Sequence, residues 1–201
     1  MKSKDFAVLI LAAGSSSRLG QPKQLLAYKK TTLLEYTITC AQSVSDNVFV
    51  VLGENQSTIQ SAIKVQGVEI VLTEDWHKGI GSSISSGIKS ITKANQGTDS
   101  IMILLCDQPK ITNELLGKLL ALHRNKKSPI SACRYGESFG VPAIFSKSFF
   151  KDLEQLQDDS GAKSIIGKNK SRTSFLNFSE GKIDIDKPED LKYLADSQKI
   201  E

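Results

Sequence analysis

The chain has 201 residues, enough for one well-buried core and short for two, with an ordinary 39% apolar and 24% charged content. A formal charge of +4, from 26 basic and 22 acidic residues, is too mild to argue for nucleic acid. No apolar run nears the roughly 20 residues that span a bilayer, and Cys40, Cys106 and Cys133, odd in number and without Cys-x-x-Cys spacing, point to reduced, buried thiols.

Taken in chain order, short β-branched runs alternate with longer amphipathic stretches. They predict strands over 6–12, 47–52, 68–72, 100–105 and 130–133, with helices over 33–43, 56–65, 82–92 and 112–126. Beyond Gly136 the pattern loosens into strands over 142–145 and 174–178 and helices over 149–156, 162–167 and 188–195. The basic run Arg124-Asn125-Lys126-Lys127 reads as the solvated last turn of a helix, where the dipole favours cations. The apolar stretch from Phe6 sits behind Asp5 and leads into a glycine loop rather than a cleavage site, so the chain is expected in the cytoplasm, with no membrane partner. The whole is one domain, an α/β, doubly wound, mostly parallel sheet in a three-layer α/β/α arrangement. Ligands of such sheets lie beyond the carboxyl ends of the strands, so the loops after the first and fourth strands would flank one crevice.

The first of these loops runs Leu11-Ala12-Ala13-Gly14-Ser15-Ser16-Ser17-Arg18-Leu19-Gly20-Gln21-Pro22-Lys23. Small residues let backbone N–H groups face an anion, Gly14 and Gly20 would take the positive φ angles of the wrap, and Arg18 and Lys23 supply charge. It is no Walker A loop, because Gln21-Pro22 follows Gly20, and no dinucleotide fingerprint. Gly79-Ile80-Gly81-Ser82-Ser83-Ile84 is a decoy for that fingerprint, being separated from its strand by residues 73–78. A surface turn carrying two solvated cations also fits the loop.

The fourth strand runs into Cys106-Asp107-Gln108-Pro109, where Asp107 is placed either to meet a metal or to serve as a turn or N-cap residue. Near the end, Ile183-Asp184-Ile185-Asp186-Lys187-Pro188-Glu189-Asp190 alternates like a short strand, which would turn Asp184 and Asp186 to one side. Asp186 equally fits an N-cap, with Glu189 completing a capping box.

These motifs together resemble the sugar-phosphate and cofactor nucleotidyltransferases, and from Val8 to Leu194 the chain is most similar to the MobA-like molybdenum-cofactor cytidylyl- and guanylyltransferases. That resemblance implies a Rossmann-like nucleotidyltransferase fold whose nucleotide part covers about 1–110 and whose acceptor part covers about 111–201. It implies that Leu11, Ala12, Ala13, Gly14, Ser15, Ser17 and Arg18 grip the triphosphate, with Lys23 at the reacting α-phosphate. Arg18, Lys23 and Asp107 would be the catalytic set, and Asp107 and Asp186 would hold Mg²⁺ with Asp184 in support. Gly79, Gly81, Ser82 and Ser83 would meet base and ribose, and Ala13, where guanylyl-transferring relatives tend to have Gly, favours CTP over GTP. Gln108, Pro109, Gly140, Pro142, Asp159 and Lys163 would face a phosphorylated pterin, the last two in a segment like the branch's Gly-Asp-x-Gly-Ala-Arg. The implied reaction is CMP transfer from CTP to the terminal phosphate of molybdopterin, with transient contact to a molybdoenzyme. A sugar phosphate, phospholactate or isoprenoid phosphate acceptor, transfer from GTP, and a non-catalytic molybdenum-cofactor carrier are the alternatives.

Overall fold

The computed structural model describes residues 5–195; the chain ends included in the single domain expected over 1–201, residues 1–4 and 196–201, lie outside the described residues. The elements run β1 (Phe6–Leu11), a hairpin of β2 (Ala27–Tyr28) and β3 (Thr31–Thr32), α1 (Leu33–Gln42), β4 (Asn47–Leu52), α2 (Gln56–Ala62), β5 (Val68–Leu72) and α3 (Ile80–Ala94). They continue with β6 (Ser100–Leu105), α4 (Asn113–Lys126), β7 (Ile130–Tyr135), β8 (Ser138–Ser146), α5 (Phe150–Glu154), α6 (Ala162–Lys168), β9 (Thr173–Asn177) and α7 (Lys192–Ala195). One seven-stranded sheet has the order β5-β4-β1-β6-β8-β7-β9, in which β8 alone runs against its neighbours.

Strand β1 is buried along its whole length, which is why it reads as an unbroken apolar run. Phe6, Val8 and Ile10 face Leu34 and Ile38 of α1, Ile59 of α2 and Leu116 and Leu119 of α4. Ala7, Leu9 and Leu11 face Ile84, Ile88 and Ile91 of α3, with α5 and α6 extending that layer. Each fully buried Ile or Leu contributes about 1.5–3 kcal/mol, so the two helix layers clamp the central strands and fix where their ends point. Thr32 and Thr112 cap α1 and α4 by accepting from the N–H of Glu35 and Leu115. All three cysteines are free and buried, and among the described residues no helix is long and apolar enough to cross a membrane.

The parallel register pairs Leu11 with Leu105, so the loops that follow β1 and β6 leave the sheet side by side, as the expected crevice requires. At the far end of the chain one expected strand is longer than its signal and another does not form. Residues 142–145 are the inner part of the nine-residue β8, which Gly140 and Pro142 hide from a periodicity search. Residues 183–186 form no strand: Ile185 is wholly buried and its N–H donates to the Asp107 carbonyl at 2.9 Å, tying an irregular segment beside β6. Asp184 and Asp186 consequently serve different surroundings. Nor does Asp186 cap a helix; the Asp190 carboxylate accepts from the N–H of Asp186 and Lys187 at 3.0 and 2.9 Å, which leaves the Asp186 side chain free for other partners.

Candidate active site

After β1 the chain turns through a loop built differently from the sequence expectation. Gly20 has φ +74°, but Gly14 is not in the left-handed region; Ser16 is, at φ 56°. A serine tolerates this because its short side chain is anchored: Oγ accepts the Lys23 N–H at 3.1 Å, and its carbonyl accepts from Leu19 and Gly20 at 3.0 and 3.2 Å. Gly14 instead leaves open space, since a Cβ there would meet no protein atom within 4 Å. Among the described residues, the backbone N–H groups of Ala13, Gly14, Ser15, Ser16, Ser17 and Arg18 find no acceptor. Such a run of unpaired donors forms an anion-binding concavity.

Lys23 lies on a short 3₁₀ turn, buried, with its ammonium inside the crevice. Nζ donates to Asp107 Oδ2 at 2.8 Å and to Asp186 Oδ1 at 2.6 Å, joining residues 84 and 163 positions away. The exposed Arg18 guanidinium reaches the other oxygen of Asp186 at 3.0 Å. Burial alone would lower the Lys23 pKa, but the charge and hydrogen bond of Asp107, with help from Asp186, raise it well above the usual lysine value, so the side chain is a permanent cation. Burial works against ionising Asp186, and Lys23 and Arg18 outweigh it, holding its carboxyl below the usual range.

The two carboxylates therefore converge on one small cation, here an ammonium, and the remaining Asp107 oxygen, Oδ1, is buried without a partner. That donor set fits a hard divalent ion, which takes one or two carboxylates and fills its shell with phosphates and water. Among the described residues no three His, Cys, Asp or Glu side chains are grouped to hold a metal unaided, so the substrate's oxygens would have to complete the shell.

Two cavities flank this centre. The first, about 340 Å³, is lined by Leu11, Ala12, Ala13, Gly14, Ser15, Lys23 and Asp107 on one side and by Trp76, His77, Gly79 and Ser83 on the other. Ser17 is exposed and Ser82 half-buried, both off the cavity wall. Gly81 meets protein instead: a Cβ there would lie 2.6 Å from the Gln157 carbonyl oxygen, and its N–H donates to Asp158 at 2.9 Å. The glycines at 79 and 81 thus admit the chain at 157–159, and α3 begins at a Gly79 cap rather than at either serine. Gly81→Ala is expected to cost about 1–3 kcal/mol of stability, measurable by denaturant unfolding, because the obstructing atoms are backbone.

The second cavity, about 380 Å³, shares Leu11, Ile80 and Leu105 with the first and is walled by Gln108, Tyr135, Phe139, Gly140, Val141, Lys163 and Asp184. Lys163 donates to Ser138 Oγ at 3.0 Å at its edge. Burial first, then the negative charge of Asp107 and Asp186, push the Asp184 carboxyl up to about 6. Pro142, which follows a cis peptide bond, and Asp159 lie off its wall; Pro109 is buried elsewhere, its carbonyl accepting from Tyr28 at 2.6 Å. Sequence reasoning passed over Ser16, whose role shows only in its φ angle, and Gln24, whose signal is a polar residue set before the apolar pair Leu25-Leu26 yet 1% exposed.

Residues 8–173 match the model of the MobA-like NTP transferase domain. The chain belongs to the MobA-like NTP transferase family. The match takes in the sheet from β1 into β9 and the loops that follow β1 and β6. The chain is 35% identical over 141 residues to the nicotine blue oxidoreductase of Paenarthrobacter nicotinovorans, covering 69% of this chain and 66% of that protein. A probable molybdenum cofactor guanylyltransferase of Bacillus mycoides strain KBAB4 is 31% identical over 124 residues, covering 60% of this chain and 58% of its own length. The chain thus spans about two thirds or less of either relative. Rv0371c of Mycobacterium tuberculosis H37Rv superposes with a TM-score of 0.84 at 28% identity, over 98% of this chain and 100% of that one, and a second structure of it is a complex with manganese.

Proposed function

We propose that the chain is a Mg²⁺-dependent nucleotidylyltransferase that moves CMP from CTP to the terminal phosphate of a molybdopterin-type acceptor and releases pyrophosphate. One observation carries the reading: a buried lysine held between two carboxylates from distant parts of the sequence, opening directly onto a loop of unpaired backbone donors. The manganese-bound relative and the guanylyltransferase relative support a divalent ion and a molybdenum-cofactor acceptor.

In this reading the triphosphate lies along residues 13–18, with its negative oxygens facing the unpaired N–H groups. An oxygen of the acceptor phosphate forms a bond to the α-phosphorus, and the bond to the bridging oxygen breaks as pyrophosphate leaves with that electron pair. A phosphate monoester has a second pKa near ~6, so the nucleophile is already ionised at neutral pH and needs no general base. The chain accordingly runs the chemistry with neither of its two histidines between the carboxylates. Lys23 and Arg18 meet the charge that builds on the phosphoryl oxygens, and the cavity walls fix the line of approach. Asp107 and Asp186 would hold the divalent ion, which supplies further positive charge when bound. Lys163 at the rim of the second cavity would meet the acceptor's anionic end, and Ala13 on the wall of the first, where guanylyl-transferring relatives tend to have Gly, supports CTP.

Pyrophosphate release tests the assignment. With Mg²⁺, CTP and molybdopterin the chain is expected to release pyrophosphate, and GTP is expected to be used less efficiently. Release with a sugar phosphate but not with the pterin would reject the acceptor, and no release from any nucleotide would reject the reaction.

A further inference from the structure

We infer that Gln24 is the positioning residue that sets the triphosphate loop, a conclusion that rests on the nucleotide reading of that loop. Gln24 is buried to 1% exposure beneath it, at the edge of the first cavity. Its Nε2 donates to the carbonyl of Ala12 at 2.7 Å and to that of Gly14 at 3.2 Å. A primary amide has two hydrogens, so both are used on this one loop. The orientation of the amide follows from the same contacts: reversed, Oε1 would face two carbonyl oxygens. Oε1 is left buried with no partner. An amide placed at that cost for one of its two polar ends holds the loop through the other.

The consequence for the loop is geometric. In a trans peptide the carbonyl of one residue and the N–H of the next point in opposite directions. Holding the Ala12 and Gly14 carbonyls against Gln24 therefore turns the Ala13 and Ser15 N–H groups away from the protein, toward the cavity that both residues line. Neither N–H has an acceptor among the described residues, which is the outcome this fixation produces. From the other flank, Ser16 Oγ accepts the N–H of Lys23, the residue next to Gln24. The turn that carries Lys23 into the crevice thus also fixes the donors that face the phosphates, and the distance between the cation and the donors is set by one short element. Gln24 touches no reacting atom in this arrangement; it acts through the backbone of residues 12–15.

The test uses the full chain, inorganic tripolyphosphate with Mg²⁺ as the probe, and calorimetry as the readout. Gln24→Met, which keeps length and volume without a donor, is expected to weaken tripolyphosphate binding roughly tenfold or more, the effect of two lost hydrogen bonds. The KM for CTP is expected to rise by a similar factor while the KM for the acceptor is unchanged, a split that a general loss of packing would not produce. Gln24→Leu, close in volume, uncharged and without a donor, is expected to behave alike and serves if the first variant does not fold. Unchanged tripolyphosphate affinity in either folded variant overturns the role of Gln24 and leaves the nucleotide reading standing. An equal rise in both KM values overturns it too, by reducing the residue to a packing role. If the unsubstituted chain does not bind tripolyphosphate, the nucleotide reading itself fails, and this inference with it.

Discussion

Asp107→Asn is expected to abolish measurable turnover while leaving the fold almost intact. Asp107 lies two residues beyond the end of β6, and Ile185 donates to its main-chain carbonyl whatever the side chain at 107 is. Asparagine keeps the shape and still accepts from Lys23 through its oxygen, and Asp186 keeps a full charge on the same ammonium. The folded state should therefore lose only about 1–2 kcal/mol, the difference between a charged and a neutral acceptor. Catalysis has no such substitute. A neutral amide oxygen is a weak ligand for a hard divalent ion, and losing one of two carboxylates should cost at least ~10³-fold in kcat. Steady-state pyrophosphate release and a denaturant titration on the same preparation check both halves. Turnover within a factor of a few of the unsubstituted chain would remove Asp107 from the centre.

Lys23→Ala carries the other large effect, and its sign differs between the empty and the metal-bound protein. Without the ammonium, Asp107 and Asp186 face one another with no cation between them, Arg18 reaching only the outer oxygen of Asp186. Two carboxylates so placed repel, and the variant should melt below the unsubstituted chain in chelator. Added Mg²⁺ relieves that repulsion, so the rise in melting midpoint on adding the ion should be larger for the variant than for the native sequence, where Lys23 competes for the same oxygens. Turnover should fall by ~10²-fold or more in kcat, because charge developing on the phosphoryl oxygens is no longer met. A rise in KM alone would make Lys23 a ground-state binding group. An ion-induced shift no larger than that of the native chain would contradict the shared carboxylate site.

Much of the arrangement was readable from the sequence where local signals and the fold agree. The runs at 6–11, 48–52 and 101–105 are apolar throughout because both their faces are covered, and such runs mark central parallel strands. The placement of Asp107 follows from one such strand. Legibility ends where long-range contacts replace local propensity. Residues 183–186 alternate like a strand, yet burial of Ile185 and its bond to the Asp107 carbonyl fix them instead, and the two aspartates part company. The hairpin Ala27–Tyr28 with Thr31–Thr32 has strands too short to leave a pattern. Gly14 looked like the residue that bends the loop because glycine commonly is; the bend belongs to Ser16, held by a main-chain N–H seven residues on. Gly81 looked like a place for a base to approach, and its space is filled by Gln157.

The most direct measurement is a crystal structure of the chain with a non-hydrolysable CTP analogue and Mn²⁺, the ion located by its anomalous signal. The account expects one ion contacted by both Asp107 and Asp186, with the Lys23 ammonium displaced from between them onto the triphosphate and the backbone of 13–18 against its oxygens. An ion bound away from both aspartates, with Lys23 still bridging them beside the bound nucleotide, would contradict it.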